Sequence, residues 1–239
     1  MGKTASKEGV NNIKKQDRIP CGCRCIDDLL GGGFETGIVT QLYGASGTGK
    51  TNICMQLAVE CVRSGKKVIY IDTEGFSAER FRQIAGEETK KIASDIVIYE
   101  PASMEQQYSA IVDLGKLMNE KIGLIILDSA ALYYRLGLTQ DDKGEENMAL
   151  RRELVNQIGI LHGIARRYDV AVVITNQVYK DVNTGEICPI GGTALEHLSK
   201  TIIFLERAGI SRRKATLQKH RSKGEGAHCE FILTDKGVQ

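Results

Sequence analysis

Apolar residues along this chain fall into two alternating textures. Short unbroken runs at IVTQLY (38–43), KVIYID (67–72), DIVIYE (95–100), GLIILD (123–128) and VAVVIT (170–175) look like strands buried on both faces. Between them, residues 50–63, 77–85, 103–120 and 146–168 space their apolar positions three and four apart, as helices with one buried face do. This alternation predicts an α/β fold, a mostly parallel central sheet with helices on both faces. After Lys200 the texture changes. KTIIFLER, KATLQKHR and HCEFILTD, separated by the turn-like RAGISRR and SKGEGA, predict consecutive strands joined by hairpins, an antiparallel extension of the sheet edge. Residues 1–18 are polar, Lys-rich and aperiodic, and predict a flexible N-terminal tail ahead of a single domain over 19–239.

Composition narrows the class only a little. A chain of 239 residues, 42% hydrophobic and 26% charged, suits one well-buried core. The net charge of +2 permits a polyanionic partner without requiring one, so any basic function has to come from local clustering. Three of the seven cysteines alternate in CGCRC (Cys21, Cys23, Cys25), which lacks the paired Cys-x-x-Cys of a zinc site and suits an extended segment burying small side chains on one face. The odd count and the lack of an export signal point to a reducing cytoplasm. No apolar run approaches the ~18 residues of a membrane span. Gly2 and Ser6 formally fit a myristoylation pattern, a short match with many free positions.

One stretch carries specific chemistry. Gly44-Ala45-Ser46-Gly47-Thr48-Gly49-Lys50-Thr51 satisfies G-x-x-x-x-G-K-[ST], with a predicted strand before it and a predicted helix after it. Glycines let successive backbone N–H groups turn inward around a phosphate, and the helix N-terminus adds partial positive charge. Lys50 would reach the β- and γ-phosphates of ATP, and the Thr51 hydroxyl would ligate Mg²⁺. Asp128, at the tip of GLIILD, sits where a second carboxylate holds Mg²⁺ through water. Glu74, just past the tip of KVIYID, is the candidate general base; alternatively it caps the following turn.

With these residues in place the chain resembles the RecA/RadA recombinase family, most closely its archaeal RadB paralogues. The similarity lies in IDDLLGGGFETGIVTQLYGASGTGKT, YIDTEGFSAERF, VVITNQV and PIGGTALEH (189–197), in family order over residues 19–238. It implies a RecA-like ATPase core, an adenine-stacking role for Arg80, and a γ-phosphate sensor at Gln177 beside Asn176. It also implies DNA as partner, single-stranded or branched. The protein partners it brings into view are a RadA-type recombinase and a Holliday-junction resolvase. No Phe-x-x-Ala tether precedes the core, whose first phenylalanine is Phe34, and only about 20 residues stand before it. We therefore expect a monomer or small oligomer rather than a long filament. The second DNA loop of the resemblance, VYKDVNTGEIC (178–188), sets Lys180 against Asp181 and Glu186, which suits an accessory protein better than an efficient strand-exchange enzyme.

The candidate DNA contacts are Tyr133 and Arg135 in the first loop, with Tyr134 beside them, and Tyr179 and Lys180 in the second. Arg212, Arg213 and Lys214 form a basic hairpin turn. Tyr133 and Tyr134 could equally pack beneath their loop, and a charged turn is often only a solvated face. LQKHRSKGEG (217–226) adds Lys219 and Arg221, two apart on one predicted strand and so on one face. Three readings stay open for this pair: a finger reaching a neighbouring subunit's γ-phosphate, a contact to DNA phosphates, or a solvated strand face. The expected function is a weakly hydrolysing, ATP- and DNA-binding accessory of recombination and repair. The alternatives are a nucleotide-gated, non-enzymatic scaffold and a KaiC-like signalling ATPase.

Overall fold

The computed structural model describes residues 17–139, 144–180, 185 and 187–239. The chain enters through β1 (Arg18–Ile19), α1 (Arg24–Leu30) and β2 (Phe34–Glu35), with β1 and β2 paired antiparallel. Gly33 makes this turn possible, because a side chain there would collide with the Ile19 carbonyl. The predicted strand–helix alternation follows: β3 (Val39–Gly44), α2 (Lys50–Arg63), β4 (Lys67–Asp72) and α3 (Ala78–Ala85). Next come α4 (Thr89–Ala93), β5 (Ile96–Tyr99), α5 (Met104–Leu117), β6 (Ile122–Asp128) and α6 (Leu132–Gly137). The long α7 (Glu145–Tyr168) leads to β7 (Ala171–Asn176), the small hairpin β8 (Val178–Lys180) and β9 (Ile187–Pro189), and α8 (Thr193–Leu198). The chain closes with β10 (Ser199–Arg207), β11 (Arg212–Lys219), β12 (His228–Thr234) and β13 (Gly237–Val238).

Nine strands make one sheet in the order β13-β12-β11-β10-β3-β7-β6-β4-β5. The strands from β10 to β5 pair parallel, and β11 to β13 extend the other edge antiparallel, as the hydrophobic texture predicts. Successive side chains of a strand face opposite sides, and the two cores divide accordingly. Val68 and Tyr70 join Leu124 and Ile126 under α1–α4, while Ile69 and Ile71 join Ile125 and Leu127 under α5, α7 and α8. Among the described residues no helix is long and apolar enough to cross a membrane.

Four local expectations change. The tail, expected over 1–18, ends sooner, because Arg18 is already in β1 and the Asp17 carbonyl accepts the Thr36 amide. The rest of it, with Gly2 and Ser6, lies outside the described residues. CGCRC is extended only in its first half. Cys21 and Cys23 are buried, but Cys25 belongs to α1, whose first turn is anchored by Asp27 accepting the amides of Cys21 and Gly22. Arg212, Arg213 and Lys214 are the opening residues of β11 rather than a turn, since the hairpin reverses over 208–211. β11 ends at Lys219, so Lys219 and Arg221 are not same-face neighbours of one strand. The Lys219 ammonium donates to the Glu196 carbonyl in α8, whereas Arg221 pairs with Glu35 at 3.0 Å.

Candidate functional site

The phosphate loop joins the C-terminal tip of β3 to α2, where parallel sheets of this kind bind ligands. It borders a cavity of about 480 Å³ whose wall holds Gly44–Gly47, Gly49, Lys50 and Thr51, faced by Glu74, Arg135, Gln177 and Val178. Thr48 is buried, its hydroxyl donating to the Ala45 carbonyl at 2.9 Å and bracing the loop. The buried Lys50 ammonium donates to the carbonyls of Gly44 (2.8 Å) and Ala45 (3.0 Å). Its burial lowers its pKa, and the charges of Glu74 and Asp128 work against that shift.

Asp128 is the deepest carboxylate of the site, 1% exposed at the tip of β6. The Tyr70 hydroxyl donates to one of its oxygens at 2.8 Å and the Thr175 hydroxyl to the other at 2.5 Å. Burial pushes its pKa up, while hydrogen bonds from Thr175, Tyr70 and Thr51 favour the ionised form. The peptide after it, Asp128–Ser129, is cis. One carboxylate and a neighbouring threonine hydroxyl form an all-oxygen donor set that suits Mg²⁺, which usually takes few protein ligands and completes its shell with water and phosphate. Among the described residues there is no cluster of three or more His, Cys, Asp or Glu that could hold a metal. Asp72, paired in register with Asp128, is pushed up to about 6 by burial and then by the Asp128 charge. Its carboxylate accepts the Gly75 amide at 2.9 Å and so shapes the turn that presents Glu74.

Glu74 is exposed at the cavity and accepts a 2.7 Å hydrogen bond from the Gln177 side chain, across 103 residues of sequence. Adjacent Asn176 is fully buried and donates to the Ile190 carbonyl at 2.7 Å, while the Ile190 amide donates to the Gln177 carbonyl at 3.1 Å. The tip of β7 thus touches both Glu74 and the base of the segment that carries β8 and β9. Arg80 approaches the site from α3. Its guanidinium donates to Asn52, which lines the cavity, and to the carbonyls of Thr234 (2.7 Å) and Asp235 (3.0 Å).

The expected DNA contacts divide. Tyr133 and Tyr134 lie in α6 rather than in a loop; Tyr133 donates to the Pro101 carbonyl, and both are half-buried against the α5–α7 core. Arg135 faces the phosphate cavity and also borders a second cavity of about 670 Å³ beside Tyr134, Met148, Arg151 and Tyr179. Tyr179 is 48% exposed. Lys180 ends β8, but its side chain, Asp181 and Glu186 lie outside the described residues. Arg212 faces Glu230 at 3.8 Å and Lys214 faces Glu206 at 3.3 Å. Arg213 is buried and donates to the Gly47 carbonyl, so it belongs to the phosphate loop rather than to an open basic turn.

Tyr70, Thr175, Arg151 and Arg207 also stand at or beside the site without having been singled out from the sequence. A hydroxyl inside an otherwise apolar strand, as in VVIT or KVIYID, is the signal that points to Thr175 and Tyr70, because such a group needs a buried partner. No local signal marks Arg207 or Arg151.

Comparison with known proteins agrees with this arrangement. The Rad51 family model matches residues 14–239. A DNA repair and recombination protein RadB from Methanococcoides burtonii is 55% identical over 230 residues, covering 96% of this chain and 100% of that protein. Its namesake from Archaeoglobus fulgidus is 50% identical over 222 residues, 92% of this chain and 97% of the other. A crystal structure of the RadB recombinase superposes with a TM-score of 0.78 at 32% identity, covering 92% of this chain and 98% of that one. The chain belongs to the Rad51 family, among its RadB paralogues.

Proposed function

We propose that this protein binds ATP with Mg²⁺ at the phosphate loop, hydrolyses it slowly, and binds DNA as a cytoplasmic accessory of recombination and repair. The observation that carries this reading is the continuity of two cavities: Arg135 and Val178 border both the phosphate cavity and the more open one beside Tyr179 and Arg151. A nucleotide at the loop and a strand along the second cavity would share those residues. Lys50 would draw the β- and γ-phosphates, with Thr51 directly and Asp128 through water holding Mg²⁺. Bound Mg²⁺ would neutralise charge developing on the phosphate oxygens. Glu74 would orient and deprotonate the attacking water, and Gln177, already hydrogen-bonded to it, would sense the γ-phosphate and pass that state to the segment based at Ile190. Hydrolysis is slow on this reading because a monomer lacks any group that a neighbouring subunit supplies. A RadA-type recombinase and a junction resolvase are the protein partners we propose.

The same Glu74–Gln177 contact favours a second reading, a non-enzymatic switch in which bound nucleotide only repositions Gln177. Steady-state turnover separates the two: Glu74→Gln removes measurable hydrolysis while leaving ATP bound if Glu74 is the base, and equal rates would remove it from that role. DNA binding is tested by titrating single strands, duplexes and branched junctions with and without ATP. If four cations each neutralise a phosphate of single-stranded DNA, log K falls with log salt at a slope of about −3. A salt-independent constant, or no binding at low salt, sinks the DNA reading. Lys219 and Arg221 are held by separate internal partners, which weakens the paired finger in trans and leaves a DNA-phosphate contact or a structural role for each.

A further inference from the structure

The outer side of the phosphate loop is held by two guanidinium groups. Arg213 donates through Nε to the Gly47 carbonyl at 2.9 Å, and Arg207 through Nη2 to the Ser46 carbonyl at 3.3 Å. The C=O and N–H of a trans peptide unit point in opposite directions. Pinning the carbonyls of Ser46 and Gly47 outward therefore aims the amides of Gly47 and Thr48 inward, where a phosphate would sit.

Four further observations set these arginines apart from ordinary strand cations. They are cross-strand partners, Arg207 on β10 opposite Arg213 on β11, a like-charge pairing that sheets normally avoid. Arg213 is only 8% exposed, and its described hydrogen bonds all go to neutral carbonyls, those of Gly47, Gly209, Ile210 and Arg212. Among the described residues neither arginine has a carboxylate within ion-pair distance, although the flanking Arg212, Lys214 and Arg221 all do. Finally, Gly47 occupies a position the phosphate-loop pattern leaves free. Yet it has φ +74°, and the Arg207 guanidinium lies 2.5 Å from where its Cβ would be.

A buried cation without a counter-charge is costly unless something supplies one. We infer that Arg213 and Arg207 form an outer cationic layer of the phosphate site, acting through the loop to position its amides and favour a polyphosphate on the inner side. Both are positioning residues, and the inference rests on the nucleotide-binding reading above.

The test uses the full chain, fluorescent ATP and ADP analogues, and the variants Arg213→Gln, Arg213→Lys and Arg207→Gln, with nucleotide-free melting temperatures measured alongside. Arg213→Gln is expected to bind the ATP analogue about tenfold more weakly, the scale of one fixed charge lost beside a partly desolvated polyanion. The loss is smaller for the ADP analogue, Arg213→Lys recovers most of the affinity, and Arg207→Gln shows the same ATP-over-ADP bias at smaller size. Equal losses for the two nucleotides, a lysine variant as weak as the glutamine one, or unchanged affinities would overturn the inference. Should Arg213→Gln not fold, Arg207→Gln, altered at an exposed side chain, decides by the ATP–ADP difference. A wild-type chain that binds neither analogue overturns the nucleotide-binding reading itself, and the inference with it. Wild-type binding with unaffected variants overturns the inference alone.

Discussion

The two ends of β11 carry similar charge and put it to different use. At its start Arg213 is buried against the phosphate loop; at its finish Lys219 reaches a carbonyl of α8, and Arg221, two residues beyond, pairs with Glu35. Glu35 is only 5% exposed and also pairs with Arg18 at 3.4 Å, so the far end is an ion-pair cluster built around one carboxylate. At the near end Arg212 and Lys214 have carboxylate partners, but among the described residues Arg213 and its cross-strand neighbour Arg207 have none within ion-pair distance. Where a counter-ion is built in, a basic residue is a structural clasp with some charge to spare. Where none is built in, neutral carbonyls hold the guanidinium instead.

Four substitutions break or sharpen this contrast. The largest effect is expected at the phosphate site. Lys50→Ala should weaken ATP binding about 100-fold, the scale of a lost charge-assisted contact to phosphate, while nucleotide-free DNA binding stays put; isothermal titration reads both. At the far end Arg221→Ala leaves Glu35 with Arg18 alone and should cost about 2 kcal/mol of stability, or about 6 °C in melting temperature. Combining it with Glu35→Gln should recover part of that loss, since the buried carboxylate charge is then gone. A double mutant as unstable as the sum of its singles would show that the cluster is not coupled.

The third substitution concerns pH. Asp72 titrates at about 6 in the folded chain against an ordinary 3.8. A raised carboxyl pKa means the folded state holds its proton more tightly, so this group favours folding below about pH 4 and loses that advantage as pH rises through 6. Without nucleotide or Mg²⁺, Asp72→Asn should therefore be more stable than wild type above pH 6, by at most about 3 kcal/mol, with the gap closing toward pH 4. Melting curves across that range check it. The smallest effect belongs to Arg212→Ala. Its partner Glu230 is 3.8 Å away and both side chains are well exposed, so stability should move by less than about 0.5 kcal/mol. A marked drop in DNA affinity for that variant would restore the basic-turn reading that the fold has removed.

How much could be read in advance depended on how local the cause was. α2 and β4 fall on their expected spans, 50–63 and 67–72, because each rests on one unbroken periodicity. The phosphate loop is legible for the same reason, with eight consecutive residues carrying the whole pattern. Asp128 and Glu74 needed one more step, that strand tips of a parallel sheet converge, whereas Gln177 came from the family resemblance; the Glu74–Gln177 bond brings the two together. α1 escaped notice because its helical stretch is a single seven-residue segment that starts inside an alternating cysteine run. Arg213 could not be read at all. Its role depends on β11 lying beside β10, which lies beside β3, so that a residue near the end of the chain meets a loop some 166 positions earlier. The same-face expectation for Lys219 and Arg221 failed over two residues, because the strand stops at the first of them.

The bonds at the tip of β7 have a consequence for how this protein can change. Asn176 and Gln177 on one side and Ile190 on the other are stitched together by the Asn176 side chain and one backbone bond. The chain between leaves and returns through a closed neck next to the phosphate-loop cavity. Lengthening such a closed segment adds little, about 0.6 kcal/mol per doubling. Chain can therefore be added beyond the neck at little cost to the closure that holds it. Paralogues could differ in the length of that segment and share the same phosphate loop.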